Sequence, residues 1–394
     1  MSDILDQYNA YPYPERDPAD EAKRLITGSP SHPVEIDHVL YAGNRDWSLP
    51  FDVLVAGGGT GDALIQLATV LTRAGKPHRI TYVDLSTEAR RVAEARAKAR
   101  GLTSITFQTG SLLDAAEYGQ FDYIDCCGVL HHLEEPVAGL RALRAALKDE
   151  GGFGWMVYAP YGRGGVYPLQ EAFGALLAGL TPQERLARAR ALMESLPKGH
   201  PFKLNPHVVD HKQSDAGFYD LLLHSQDRAF RIDEWGAALA EAGFEVAGMC
   251  PPALYDLGRY ADPPEDMDQL QRMAMAERLS GTIRKHVGYA RPTGAAPRKG
   301  AGMQAVPHLS ADPVKLARAV AAGKTLPVTS QGVTFDVTLP PEAATVLAQV
   351  NGRRTLAEIA RGAKTDPFLF QGLWRKVEDG LAPVGLLQMS RLGL

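Results

Sequence analysis

The sequence predicts an α/β fold: a doubly wound, mostly parallel sheet with a helical cap inserted into it, followed by a small winged-helix-like α+β domain. Three observations carry this. From about residue 50, short apolar runs alternate with amphipathic helical segments, the pattern of parallel βαβ units covered on both faces. The first run ends in a cluster of glycines, Gly57, Gly58, Gly59 and Gly61, just where a helical pattern begins. After the fifth run the alternation stops over residues 158–235, too long a stretch for a crossover, and then resumes.

The elements follow in order. Strands are expected at 52–56, 79–84, 104–108, 121–127 and 152–157, with helices between them. Ala63, Leu64, Leu67, Ala68 and Leu71 recur at helical spacing, and Gly75 and Gly101 stand where helices end. The interruption holds three helical segments, "PLQEAFGALLAGL", "TPQERLARARALMESL" and "SDAGFYDLLLHSQDR". Strands return at 244–250 and 283–290, with a helical stretch at 264–281. The Gly-, Ala- and Pro-rich residues after 291 read as a linker. The expected division is therefore an N-terminal arm, 1–50; the main domain, 51–292; a linker, 293–330; and a small domain, 331–394, where Thr355 and Glu358 fit a capping box.

Composition narrows the function. A chain of 394 residues with 45% hydrophobic and 22% charged residues is an ordinary globular protein of two or three domains. A net charge of −4 argues against a nucleic-acid partner. Cys126 and Cys127 are adjacent and Cys250 stands alone, which excludes a disulfide framework and a CxxC metal knuckle, so a reducing cytoplasm is the expected compartment. No apolar stretch approaches a membrane span, and no membrane partner is expected. "HVVDH", His207 to His211, resembles a metal-binding helix motif but lacks a third ligand, so no metal is expected either.

Glycines spaced as Gly57, Gly59 and Gly61 let the backbone turn at positive φ and approach a ligand closely. The dinucleotide pattern GxGxxG would need glycine at 62, where Asp62 stands, and an acid there would meet a pyrophosphate at the helix start. A neutral or cationic nucleoside meets no such repulsion. Asp84 lies 23 residues past Gly61, at the end of the next strand, where a carboxylate accepts ribose hydroxyls; its other reading is a plain helix-entry residue beside Ser86.

Together "VLVAGGGTGDA", "ITYVDLS", "FQTGSLLD", "FDYIDCCGVLHHLEEP" and "LKDEGGFGWMV" resemble the class I S-adenosylmethionine-dependent methyltransferases over roughly residues 50–160, extended to about 290 by the last two strands. The resemblance implies a seven-stranded sheet with an antiparallel last strand and S-adenosyl-L-methionine as cofactor. It places the cofactor's amino-acid part on Gly57, Gly59 and Gly61, the ribose on Asp84, and the adenine between Leu85 and the Ser111–Leu112 turn. Gly128 and the loop after it would lie beside the transferring methyl. Val55 stands where the family often has an acid, leaving Asp62 or an N-terminal residue to contact the cofactor's ammonium. Ser111 stands where relatives often have aspartate, leaving Ser111 or Asp114 for the exocyclic amine.

For the acceptor side, His131 is the expected base and His132 a packing residue. Tyr158, Tyr161 and Arg163, just past the fifth strand, are expected to contact the acceptor, with Arg163 suited to a carboxylate. The tyrosines of the arm, Tyr8, Tyr11 and Tyr13, would fold over the cofactor mouth, and Tyr11 would touch the acceptor. The polar break at His224, Gln226, Asp227 and Arg228 is open to either a structural or a functional role. The tail resembles the small C-terminal modules of some bacterial protein lysine methyltransferases. The expected activity is methyl transfer to an N or O nucleophile of a polypeptide or a small carboxylate-bearing molecule. The rival readings are a non-catalytic S-adenosylmethionine-binding regulator and a nicotinamide-dependent oxidoreductase.

Overall fold

The computed structural model describes residues 10–364 and 366–394; Tyr8 lies outside them. A helix, α1 (Pro33–Leu40), precedes the first strand, β1 (Phe51–Ala56). The chain then winds through α2 (Asp62–Arg73), β2 (His78–Asp84), α3 (Thr87–Ala99), β3 (Ile105–Thr109), β4 (Phe121–Cys127), α4 (Pro136–Ala146) and β5 (Leu147–Tyr158). Four helices form the cap: α5 (Val166–Leu176), α6 (Pro182–Ser195), the single turn α7 (Pro201–Leu204) and α8 (Asp215–Leu222). After α9 (Ile232–Glu241) come β6 (Phe244–Met249), α10 (Gln269–Ser280) and β7 (Lys285–Pro292).

These seven strands form one mixed sheet in the order β3-β2-β1-β4-β5-β7-β6, with β7 antiparallel to both of its neighbours. The order reverses between β1 and β4, so a crevice opens at the carboxyl ends of those strands. Apolar residues explain both faces. Val53 and Val55 pack with Leu64, Leu67 and Leu71 of α2, while Leu54, Ile124 and Cys126 pack with Leu140 and Leu143 of α4. Burying each of the larger side chains is worth about 1.5–3 kcal/mol.

Local signals set the turns. Gly61 enters α2 at φ +98°, a left-handed conformation that side chains rarely adopt. Ser86 caps α3 by accepting Ala89 N–H at 3.1 Å, and Thr181 and Glu184 form a capping box on α6.

Two stretches are more built than expected. Within 1–50, α1 sits against the sheet with Val34 and Ile36 fully buried. Within 293–330 lie β8 (Val306–Leu309), α11 (Pro313–Ala321) and β9 (Leu326–Ser330). Beyond them come β10 (Val333–Val337), α12 (Ala343–Leu347), α13 (Leu356–Gly362), α14 (Pro367–Leu381) and β11 (Leu387–Ser390). Strands β9 and β10 pair, and β8 pairs with β11, so the segment that reads as a linker supplies half of each two-stranded sheet. The C-terminal strand is bonded back to α1: Ser390 Oγ donates to Asp37 at 2.5 Å and Gln388 Nε2 to Glu35 at 2.9 Å. Among the described residues, no helix is long and apolar enough to cross a membrane.

Candidate active site

A cavity of about 690 Å³ opens at the reversal of strand order, lined from the glycine loop at one end to the cap at the other. At the glycine loop, Gly57, Gly59 and Gly61 all have positive φ. A Cβ on Gly57 would lie 2.5 Å from Val129, and one on Gly58 would lie 2.3 Å from the Tyr82 ring, so the loop is packed too closely for side chains. Asp84 ends β2 and ties the loop down: Oδ2 accepts Gly59 N–H at 2.7 Å and Oδ1 accepts Ser86 N–H at 2.8 Å. Burial raises its carboxyl above the ordinary range, while these backbone donors oppose the rise. Leu85, half exposed, and the Ser111–Leu112 turn stand beside it on the cavity wall, with Ser111 Oγ accepting Leu113 N–H.

The arm closes over this end. Thr60 Oγ1 donates to Pro14 O at 2.6 Å, and Tyr13, Pro14 and Arg16 all line the cavity. Arg16 grips Asp62 through Nε at 2.9 Å and Nη2 at 2.6 Å, and Arg96 donates to the same carboxylate at 2.8 Å. Burial pushes the Asp62 carboxyl up, but the two guanidinium groups outweigh it and hold the group below its ordinary value. Tyr11 does not line the cavity; it stacks on Tyr219 of the cap, with ring centroids 5.0 Å apart.

Gly128 leaves β4 at φ +80° and leads to the two histidines. The structure sets them in the reverse of the expected order. His132 lines the cavity, whereas His131 lies behind it, 1% exposed, with neither ring nitrogen hydrogen-bonded. Burial, together with neighbouring His132 and Arg163, pushes the His131 imidazole well below its usual range, so it stays neutral. The reason for the reversal lies in the single 3₁₀ turn at Leu130–His132, which turns His131 back toward Tyr158, 4.3 Å between centroids.

His132 is oriented by the cap. Its Nδ1 lies 2.9 Å from Gln226 O, and a carbonyl only accepts, so Nδ1 carries the proton and Nε2 holds a free lone pair. His224 stacks on it at 3.8 Å; its Nδ1 accepts Gln226 N–H at 3.0 Å, which places its proton on Nε2. The donor atoms of His132, Asp220 and His224, and those of His131, His132 and Asp227, each lie within 4.8 Å of one another. The Gln226 bonds thus set a lone pair on His132 Nε2 and a proton on His224 Nε2.

Tyr158 lines the cavity, and its hydroxyl donates to Asp220 at 3.2 Å. Asp220 also lines the cavity, and burial pushes its carboxyl up to about 6, with Asp227 adding to the rise and His132 and Arg163 opposing it. Arg163 does not line the cavity. Its guanidinium lies 3.6 Å from the Tyr158 ring centroid, and Nη2 is 3.3 Å from Asp227 Oδ2. Gln170 Nε2 donates to the same oxygen at 2.9 Å, which leaves Asp227 Oδ1 buried and unbonded. Tyr161 stays on the surface, 38% exposed. His207 and His211 belong to neither histidine cluster.

Of the residues expected from the sequence, the structure brings Gly57, Gly59, Asp84, Leu85, Ser111, Leu112, Gly128 and Tyr158 onto one cavity wall, with Gly61 at the foot of the same loop. Sequence reasoning did not single out Asp220, which sits inside an apolar helical run and carries no motif, and it gave His132 only a packing role.

Comparison with known proteins agrees with this geometry. A family described as a methyltransferase domain matches residues 54–153. An uncharacterised protein of Synechococcus is 34% identical over 204 residues, 49% of this chain and 48% of that protein. A ubiquinone biosynthesis O-methyltransferase of Actinobacillus pleuropneumoniae is 27% identical over 126 residues, 30% of this chain and 50% of its own. The chain thus spans about half the length of these curated relatives. Among solved structures, PKMT2 from Rickettsia typhi, 15% identical, covers 93% of this chain and 77% of its own with a TM-score of 0.65. The same protein in complex with AdoHcy gives 0.64 at 13% identity; at these identities the likeness is one of fold.

Proposed function

We propose, on the premise that this chain carries a class I S-adenosylmethionine-dependent methyltransferase domain, that the whole protein methylates an amine, as presented by a polypeptide. The observation that carries this is the single cavity joining the Asp84-anchored glycine loop to His132, Tyr158 and Asp220.

The residues fit the cofactor. The glycine loop is a cradle that side chains would fill, and Asp84 has both oxygens on main-chain donors yet keeps lone pairs for two ribose hydroxyls. Leu85 and the Ser111–Leu112 turn offer flat walls for a base. When bound, S-adenosylmethionine supplies an activated methyl group, so the protein's task is alignment, exclusion of water and removal of one proton. Tyr13 and Tyr158 give the acceptor an aromatic surface that suits an ammonium group. Asp220 offers that cation a buried carboxylate that accepts the Tyr158 hydroxyl. His132 Nε2 then takes the proton that turns the ammonium into a nucleophilic amine. Arg163 is committed to Asp227 behind this wall, so the support it lent to a carboxylate-bearing acceptor falls away.

The polypeptide reading draws on the tail's resemblance to modules of bacterial protein lysine methyltransferases. Its winged-helix-like character rests on the β9–β10 hairpin beside helices α12 to α14. Calorimetry with S-adenosylhomocysteine tests the cofactor half: Asp84→Ala is expected to weaken binding by about 2–4 kcal/mol through the loss of charge-assisted hydrogen bonds. Unchanged affinity in that variant would reject the assignment. Labelled methyl transfer to lysine-containing peptides, against the same peptides with acetylated amines, tests the acceptor half.

A further inference from the structure

At the glycine-loop end, two buried polar side chains have capacity that the reading above leaves unused. Gln66, on α2, is 2% exposed and lines the cavity. Its Oε1 accepts Gly28 N–H at 2.8 Å, which fixes the amide's orientation, while Nε2 has no partner. A buried donor with no acceptor calls for explanation, because native interiors rarely leave one unpaired. Asp125, on β4, is 1% exposed and lines the same cavity. Its Oδ2 accepts the Ser31 hydroxyl at 2.7 Å, the Tyr123 hydroxyl oxygen lies 3.3 Å from the same atom, and no cation pairs with it among the described residues.

Strand register explains why a carboxylate stands there. Asp125 pairs with Val55 across the parallel β1–β4 ladder. Val55 holds the position before the glycines where an acid is common in this fold, so the acid here sits one strand over, on the same face and about 5 Å away. The other candidate for that duty, Asp62, is already held by Arg16 and Arg96.

We propose that Asp125 and Gln66 form a zwitterion subsite for the amino-acid end of the cofactor, with Asp125 receiving the α-ammonium and Gln66 Nε2 donating to the α-carboxylate. This rests on the S-adenosylmethionine reading of the cavity. The loop between the two residues is fixed to receive such a ligand: Pro30 O accepts both Tyr123 and Tyr289 hydroxyls at 2.8 Å, and Ser29 Oγ donates to Glu35 at 2.7 Å. Burial pushes the Asp125 carboxyl up to about 6, and a bound ammonium would offset the cost that burial places on its charged form. One acceptor-only group and one donor-only group at the same corner match a zwitterion and mismatch a neutral or singly charged end.

The test is calorimetry on the full chain with two probes: S-adenosylhomocysteine, which has the amino-acid end, and 5′-methylthioadenosine, which lacks it. Asp125→Asn keeps the side chain's shape and its Ser31 bond but removes the charge. Gln66→Glu keeps the acceptor for Gly28 and replaces the donor with a second carboxylate. Each is expected to weaken S-adenosylhomocysteine by about 10–100-fold, the range of a charge-assisted hydrogen bond, and to leave methylthioadenosine within about twofold. Asp84→Ala, in contrast, weakens both probes. Equal losses for both probes, or no loss for either, in Asp125→Asn would overturn the subsite. Failure of wild-type protein to bind S-adenosylhomocysteine would instead reject the cofactor reading itself, so the two failures are told apart.

Discussion

The two ends of the cavity are built differently. At the glycine loop, the ligand-facing carboxylate is fixed by main-chain donors close in sequence: Asp84 takes Ser86 N–H two residues on and Gly59 N–H 25 residues back. At the cap end, the bonds that set the site span far longer separations. His132 reaches Gln226 across 94 residues, Tyr158 reaches Asp220 across 62, and Arg163 reaches Asp227 across 64. A main-chain site tolerates sequence change around it, because any residue supplies an N–H. A side-chain site does not, and both His131 nitrogens, Asp227 Oδ1 and the Tyr167 hydroxyl are buried there without partners. The glycine-loop end has its own unpartnered atom in Gln66 Nε2, so what separates the two ends is the sequence distance of the bonds that set them.

The sharpest way to break this comparison is to separate the two adjacent histidines. His132→Ala is expected to lower kcat by about 10²–10⁴-fold, the range for losing a general base, with S-adenosylhomocysteine affinity little changed. His131→Ala is expected to act on thermal stability instead, since its ring packs between His132 and Tyr158 without bonding to either. Stopped kinetics on both variants decide it. If His131→Ala takes the steep loss and His132→Ala keeps full turnover, the cap end has been assigned the wrong way round.

Next in size is Arg163→Ala. Arg163 supplies the cation beside the buried Asp227 carboxylate and covers the Tyr158 ring. Its removal strands Asp227 in the interior and is expected to destabilise the protein by about 3–5 kcal/mol. Denaturant unfolding measures this. A loss below about 1 kcal/mol, combined with a raised KM for the acceptor, would return Arg163 to the substrate site and make the cap end as direct as the glycine loop.

The same contrast governs what the sequence reveals. The seven strands are legible because each is a short apolar run bounded by turn residues, and β1, β2 and β4 fall within a residue of the expected bounds. Asp84 and the three positive-φ glycines are legible because backbone geometry demands those residue types. The His131–His132 order is not, since a 3₁₀ turn of three residues decides which ring faces the cavity. Arg163 reads as a ligand-binding residue in a Gly-rich loop, and only the tertiary approach of Asp227 takes it out of the cavity. The 293–330 stretch reads as a linker because β8 and β9 are only four and five residues long and draw their stability from partners in the tail.

The smallest expected effect has the opposite sign from the others. Asp220 is buried, and its carboxyl is pushed up to about 6 from an ordinary 3.8. In that window the folded protein binds a proton that the unfolded chain has released, so stability falls as pH rises from about 4 to 6 and stays lower at neutrality. The groups around it pull both ways, His132, Arg163 and the Tyr158 hydroxyl favouring the charged form and Asp227 opposing it. Two units correspond to an upper limit of about 3 kcal/mol, and a gain of about 1–2 kcal/mol is the expected size after relaxation. Asp220→Asn should therefore raise Tm at pH 7, lose that advantage below about pH 4, and at the same time weaken an amine acceptor. Melting curves across pH, beside KM for a lysine peptide, check both halves. A variant that melts lower at pH 7 would mean that Asp220 is already paired in the free protein, and the carboxylate assigned to the acceptor's charge would not be waiting for it.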